Sequence, residues 1–310
     1  MSNLIDLITP TNLDSEREKF FASTSYNPTF HYIWQDVDLK PIFSSENKYP
    51  LWESIKKQDH ISIVQSASSL FDTSITDEFT ASAYQQSSVI GRLSTGSAQE
   101  YARLFQNALD EFDISDYKII LTDSSGFNAR PNHNDKTITI SNQIHFEYFS
   151  MEAGVRHELV HVIRYKNGIY NHIKRADNYL PTEEGLASWC QDNTNDDNGF
   201  TQHAIEYVAS SVGIKGSLRD IFDTMCDFGM SAELAWKRAS RHKFGFVDTS
   251  IPGDIIKPAL YYANEIKVDK LTTDEKLRLF VGKISMDDLG NYPDYIGLWP
   301  AIKLVQYFKL

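Results

Sequence analysis

The nineteen residues from Ser150 to Gly168, SMEAGVRHELVHVIRYKNG, constrain this chain more than any other stretch. Ser150 is a good helix cap, Glu152 suits the first turn, and Asn167-Gly168 is a good stop, so the segment reads as a helix. Within it His157 and His161 are four residues apart, which puts both imidazoles on one face, a single turn apart. Two rings so placed can reach one tetrahedral ion at about 2.0–2.1 Å. Glu158 sits beside the first histidine, where its carboxylate can address water rather than the metal. That is the geometry behind the HExxH pattern, here His157-Glu158-Leu159-Val160-His161. The expectation is one Zn2+ held by His157 and His161, with Glu158 as the base.

A catalytic zinc takes a third protein ligand and keeps one position open. A third histidine six residues after His161 would complete one common pattern, but that position is Asn167. The other common solution is a glutamate on a second helix. Leu180 to Ala187, LPTEEGLA, fits it, with Pro181 ending a loop, Thr182 as a cap and two glutamates in the first turn. Pattern alone does not separate Glu183 from Glu184, since one of them could simply complement the helix dipole. Gly185 would allow close approach of this helix to the histidine helix. His172 and His203 are rival ligands, and Asp177 or Asp192 could orient a ligand histidine.

Around this centre the chain reads as α+β, predominantly helical: a mainly helical part over 1–115, then a core over 116–310 with a small sheet and further helices, all in a single domain. Asn12 is a candidate cap for a helix through Phe21, and Leu51 to Phe71 and Ala98 to Phe112 carry apolar residues at helical spacing. Tyr117 to Thr122 reads as a buried strand, and Lys136 to Ser141, KTITIS, as a half-buried one. The intervening SSGFNARPNHND is turn chemistry. Further stops fall at Gly213 to Gly216 and at Ile251-Pro252-Gly253. The net charge of −12 argues against general nucleic-acid binding. The basic clusters at Lys237, Arg238, Arg241, His242 and Lys243, and at Arg164, Lys166, Lys174 and Arg175, read either as solvated helix faces or as a surface for an acidic tail. No run approaches the roughly 18 apolar residues of a membrane span, and no secretory signal is visible, so a cytoplasmic protein is expected. Two cysteines, Cys190 and Cys226, are too few for a disulfide scaffold.

Several motifs together resemble one family. Pro10-Thr11-Asn12-Leu13, Glu18-Lys19-Phe20 and Asn27-Pro28-Thr29-Phe30-His31-Tyr32 are similar to the opening signature of the tubulin tyrosine carboxypeptidase-like metallopeptidases. Thr182-Glu183-Glu184-Gly185-Leu186-Ala187 resembles that family's T-Q-E-G-L-A, which implies Glu184 as the third ligand and Glu183 in place of the glutamine. Arg238 with Arg241, Lys257 with Tyr261, and Val281-Gly282-Lys283-Ile284 resemble its later Arg-x-x-Arg, Lys-x-x-x-Tyr and GK positions. Two departures stand out: two rather than three residues between the histidine pair, and Pro258 where the family has an aspartate. The resemblance implies a zinc carboxypeptidase that removes a C-terminal, aromatic residue from a peptide or protein tail. Tyr261 is then the candidate oxyanion donor, with Arg238 or Arg241 as alternatives. Arg130, Arg164, Arg238 and Arg241, with Lys257, are candidates for holding the substrate carboxylate. Rival readings are an endopeptidase or aminopeptidase on the same zinc, or a binding module with an inert metal. Glu158 argues against the last, because a purely structural site has no use for a base.

Overall fold

The computed structural model describes residues 4–36, 43, 48–87, 96–123, 127–144, 150–193 and 201–310. In chain order its helices are α1 (Leu4–Ile8), α2 (Leu13–Ala22), α3 (Ile33–Asp36), α4 (Tyr49–Lys57), α5 (His60–Phe71), α6 (Asp77–Gln86) and α7 (Ala98–Glu111). Strands β1 (Lys118–Thr122), β2 (Ala129–Asn132) and β3 (Thr137–Ser141) follow. After them come α8 (Met151–Tyr170), α9 (Tyr179–Asp192), α10 (Thr201–Gly213), α11 (Leu218–Asp227), α12 (Ala232–His242), α13 (Lys257–Asp269), α14 (Thr273–Arg278) and α15 (Ala301–Phe308). This is the expected α+β class dominated by helix. Internal contacts group the chain into two units, 1–89 with 202–260, and 90–201 with 261–310. Among the described residues no helix is long and apolar enough to cross a membrane.

The sheet has the order β1-β3-β2, with β1 parallel and β2 antiparallel to the central β3. Alternation in β3 buries Ile138 and Ile140 fully, as expected of a half-buried strand. The other two strands depart from expectation. β1 is an edge strand, and Ile120 and Leu121 are largely exposed, so its apolar run is not a buried core strand. β2 lies inside the segment read as turn. Its Pro131 is tolerated because β2 is an edge strand, where a missing N–H donor costs little. Ile138 and Ile140 face a core shared with Phe105 and Leu109 of α7, Leu159 and Ile163 of α8, and Leu186 of α9. Each such buried side chain contributes roughly 1.5–3 kcal/mol.

The first unit is held by contacts both near and far in sequence. Asn12 does begin α2, but its side chain does not cap the helix. Instead its Nδ2 donates to the Thr29 carbonyl (2.9 Å) and its Oδ1 accepts from the His31 N–H (2.8 Å). The two opening motifs are thereby stitched together. Phe20 packs edge-on against Phe222 at 5.0 Å, and the Arg219 guanidinium stacks 3.3 Å over its ring. The segment Leu51 to Phe71 is two helices rather than one. Gln58 turns left-handed (φ 52°), and Asp59 then caps α5 by accepting from the Ser62 N–H.

Candidate metal centre

α8 starts as its sequence requires, with Ser150 Oγ accepting from the Ala153 N–H. It does not stop at Asn167-Gly168 but runs on to Tyr170, and His172 (φ 55°) lies just beyond. The Asn-Gly pair is consumed by packing instead. Asn167, fully buried, donates to the Phe280 carbonyl (2.7 Å) and accepts from the Leu298 N–H (2.8 Å). Gly168 faces Gly282 so closely that a Cβ on Gly282 would come within 3.1 Å of the Gly168 Cα. Tertiary contact here overrides a local stop signal.

α9 likewise begins earlier than expected, at Tyr179, so the two glutamates fall beyond its first turn and helix-dipole complementation does not explain them. Thr182 is not a cap; its Oγ1 accepts from the Met286 N–H (2.8 Å). Gly185 does permit close approach, but to α13. A Cβ there would meet the Asn264 backbone at 2.8 Å, nearer than real Cβ atoms come. α8 packs more extensively against α9 than against any other element, and the two helices bring the donors together.

His157 Nε2 lies 3.6 Å from Glu184 Oε2, and His161 Nε2 lies 3.7 Å from the same oxygen. One donor atom from each of the three residues lies within 4.8 Å of the others. The imidazoles meet edge to face with centroids 5.2 Å apart. A tetrahedral ion with bonds of about 2.0–2.1 Å has ligand–ligand edges near 3.3 Å. The observed nitrogen–oxygen spacings are too long for hydrogen bonds and close to such an edge, so the residues fit a single Zn2+-sized cation. Glu158 is half-buried; burial, the largest influence, raises its carboxyl pKa against the nearby His157 and His161. A carboxylate so poised takes up a proton more readily than an exposed one.

The two glutamates separate cleanly. Glu184 points its Oε2 at both imidazoles, whereas Glu183 lies behind His161 and is almost wholly buried. Glu183 Oε1 is 2.9 Å from His161 Nδ1 and also accepts from Lys283 Nζ, while its Oε2 accepts from Arg164 Nη1 at 2.5 Å. Burial works to raise the Glu183 carboxyl pKa, but Lys283, Arg164 and His161 outweigh it and hold it well below the usual carboxylate range. Arg164 is fully buried and also donates to the carbonyls of Leu279, Gly282 and Ile284. It is therefore structural, not a clamp for substrate. Asp177 and His172 are exposed, which removes the one as an orienting group and the other as a ligand. Reading by sequence missed the role of Glu183; the one local signal was Arg164, three residues past His161 on the buried face of α8.

The remaining candidates sit as follows. Tyr261 is half-buried, its ring centroid 6.4 Å from that of His157. Arg130 is exposed on β2, its guanidinium 5.1 Å over the Phe127 ring, and its charge acts on Glu158. Arg238, Arg241 and Lys257 belong to the first unit, where Arg238 pairs with buried Glu206 at 2.8 Å. His242 and Lys243, from the same basic cluster, are fully buried rather than solvated.

Fold and donor set define a class: an α+β protein carrying a candidate metal centre on an HExxH helix braced by a glutamate helix. No family model matches the chain. The chain is similar to Microtubule-associated tyrosine carboxypeptidase 1 of Mus musculus, at 25% identity over 92% of this chain and 61% of that protein. The same protein of Homo sapiens matches at 25% over 91% of this chain and 60% of its own length, and that of Rattus norvegicus at 26% over 90% and 60%. The resemblance to the tubulin tyrosine carboxypeptidase-like family thus extends along nine-tenths of the chain, which spans about three-fifths of the length of the relatives it matches.

Proposed function

We propose that this protein is a zinc-dependent metallocarboxypeptidase that removes the C-terminal residue, tyrosine-like and aromatic, of a peptide or protein tail. The observation that carries the reading is the convergence of His157, His161 and Glu184, one donor atom from each within 4.8 Å of the others and Glu184 Oε2 at 3.6 and 3.7 Å from the two Nε2 atoms, with Glu158 adjoining the first ligand. Carboxypeptidase action is the activity in the names of the similar proteins, and the motif resemblance supports extending it here.

His157, His161 and Glu184 would hold the ion. A bound Zn2+ supplies Lewis-acid polarisation of the scissile carbonyl and acidifies water. Glu158 takes the proton of the attacking water and passes it to the leaving amine. Tyr261 donates to the developing oxyanion. Arg130 is the favoured partner for the substrate's terminal carboxylate, since it is exposed and its field reaches Glu158. Arg238, Arg241 and Lys257 remain alternatives drawn from the family resemblance.

A peptide library followed by mass spectrometry tests the reading. Loss of single C-terminal residues, aromatic ones fastest, is expected; internal cuts with intact C-termini would assign the site to an endopeptidase. Glu158→Gln is expected to lower kcat/KM by about 10²–10⁴-fold while zinc is retained. Unchanged activity in that variant would favour a metal-bearing binding module.

A further inference from the structure

A histidine that binds zinc through Nε2 usually donates its Nδ1–H to an acceptor that fixes the ring's tautomer and orientation. His157 and His161 differ in this respect. His157 Nδ1 is buried with no hydrogen-bond partner among the described residues. His161 Nδ1 faces Glu183 Oε1 at 2.9 Å. An ionised carboxylate can only accept, so this contact requires the proton on Nδ1; in the neutral ring that leaves the Nε2 lone pair on the side of Glu184 Oε2 and the ion site.

We propose that Glu183 is a positioning residue that locks His161 into the tautomer presenting Nε2 to the metal, with Arg164 and Lys283 holding its carboxylate in place. The inference rests on the zinc site proposed above. Its components come from two consecutive helices and a segment a hundred residues further on. Glu183 is on α9, Arg164 one turn beyond His161 on α8, and Lys283 follows Gly282 in the segment whose carbonyls Arg164 also grips. The bracket therefore fixes the carboxylate from two sides while leaving Oε1 shared between Lys283 and the imidazole. A glutamine at this position would keep an amide oxygen able to accept the same Nδ1–H. The contact, rather than the charge alone, is what orients the ring.

The test uses the full chain. In zinc-loaded wild-type protein, nitrogen-15 NMR is expected to show His161 protonated at Nδ1 and metal-bound at Nε2; metal at Nδ1 would overturn the proposal. Chelator competition is expected to show zinc affinity reduced about 10–100-fold in Glu183→Ala. In Glu183→Gln, which keeps an acceptor oxygen, most of that affinity should return. Wild-type affinity in Glu183→Ala would overturn the proposal, as would a loss in Glu183→Gln as large as in the alanine variant. Should Glu183→Ala fail to fold, the wild-type tautomer and the glutamine variant decide it. A wild-type protein that binds no zinc would instead refute the underlying metal site, a different and separately visible outcome.

Discussion

Both units bury charged side chains, but put them to different use. In the first unit Lys243 is fully buried, and its ammonium donates to the carbonyls of Gly216 and Ile251 at 2.8 Å, with Gly213 and Gly253 also in reach. Burial lowers its pKa to about 8, opposed by Asp254. Glu16 is also buried, and it accepts from Lys19 Nζ (2.6 Å), Tyr26 Oη (2.6 Å) and the Thr29 N–H (3.0 Å). The partners of Lys243 are all backbone carbonyls, whereas Glu16 takes one backbone N–H and two side-chain donors; both groups tie neighbouring segments together. In the second unit Glu183 is held by two cations and still presents an oxygen to an imidazole. A buried charge can tie backbone segments together, as at Lys243 and Glu16, or face a functional group, as Glu183 does.

That contrast can be broken most readily at Lys243. Lys243→Met leaves several buried carbonyls without their donor and is expected to cost about 3 kcal/mol of stability in urea unfolding. Zinc bound per folded chain should not change. A marginal stability effect would show that Lys243 is not a staple.

A smaller effect is expected at Glu16 and has a defined pH window. Burial raises its carboxyl pKa, but the bonds from Lys19, Tyr26 and Thr29 more than offset this and leave it lowered. Its ionised form therefore contributes stability that is full above the unfolded value of about 4.3 and is lost as pH falls through the folded value. Unfolding of wild type and Glu16→Gln from pH 6 to 3 should show a shallower acid decline in the variant. Superimposable acid limbs would contradict the role.

The smallest effect sharpens the account of α8. Ser150→Ala removes a cap contact and should cost about 1 kcal/mol in thermal unfolding, without altering the metal donors. A drop in zinc content of the folded variant would mean that the helix start, as well as its middle, sets the site.

The histidine pair of the candidate triad was legible because its signals are local: Ser150 caps, and His157 and His161 share a face by helical period alone. Glu184 needed the resemblance to separate it from its neighbour. What escaped was tertiary. Asn167-Gly168 has the chemistry of a stop, yet it is engaged by Phe280, Gly282 and Leu298, more than a hundred residues away. β2 escaped because Pro131 and its asparagine neighbours read as turn unless the strand is known to lie at an edge. The exposure of Ile120 and Leu121 escaped for the converse reason, since an apolar run does not reveal what covers it. Glu183 escaped because Lys283, which helps to hold it, is a hundred residues downstream.

The three-donor site is tested most directly by metal analysis of purified wild-type and Glu184→Gln proteins after dialysis against trace chelator. The account predicts one zinc per wild-type chain and a sharp loss in the variant, with both folded. Equal zinc in the two proteins, or none in either, would contradict it.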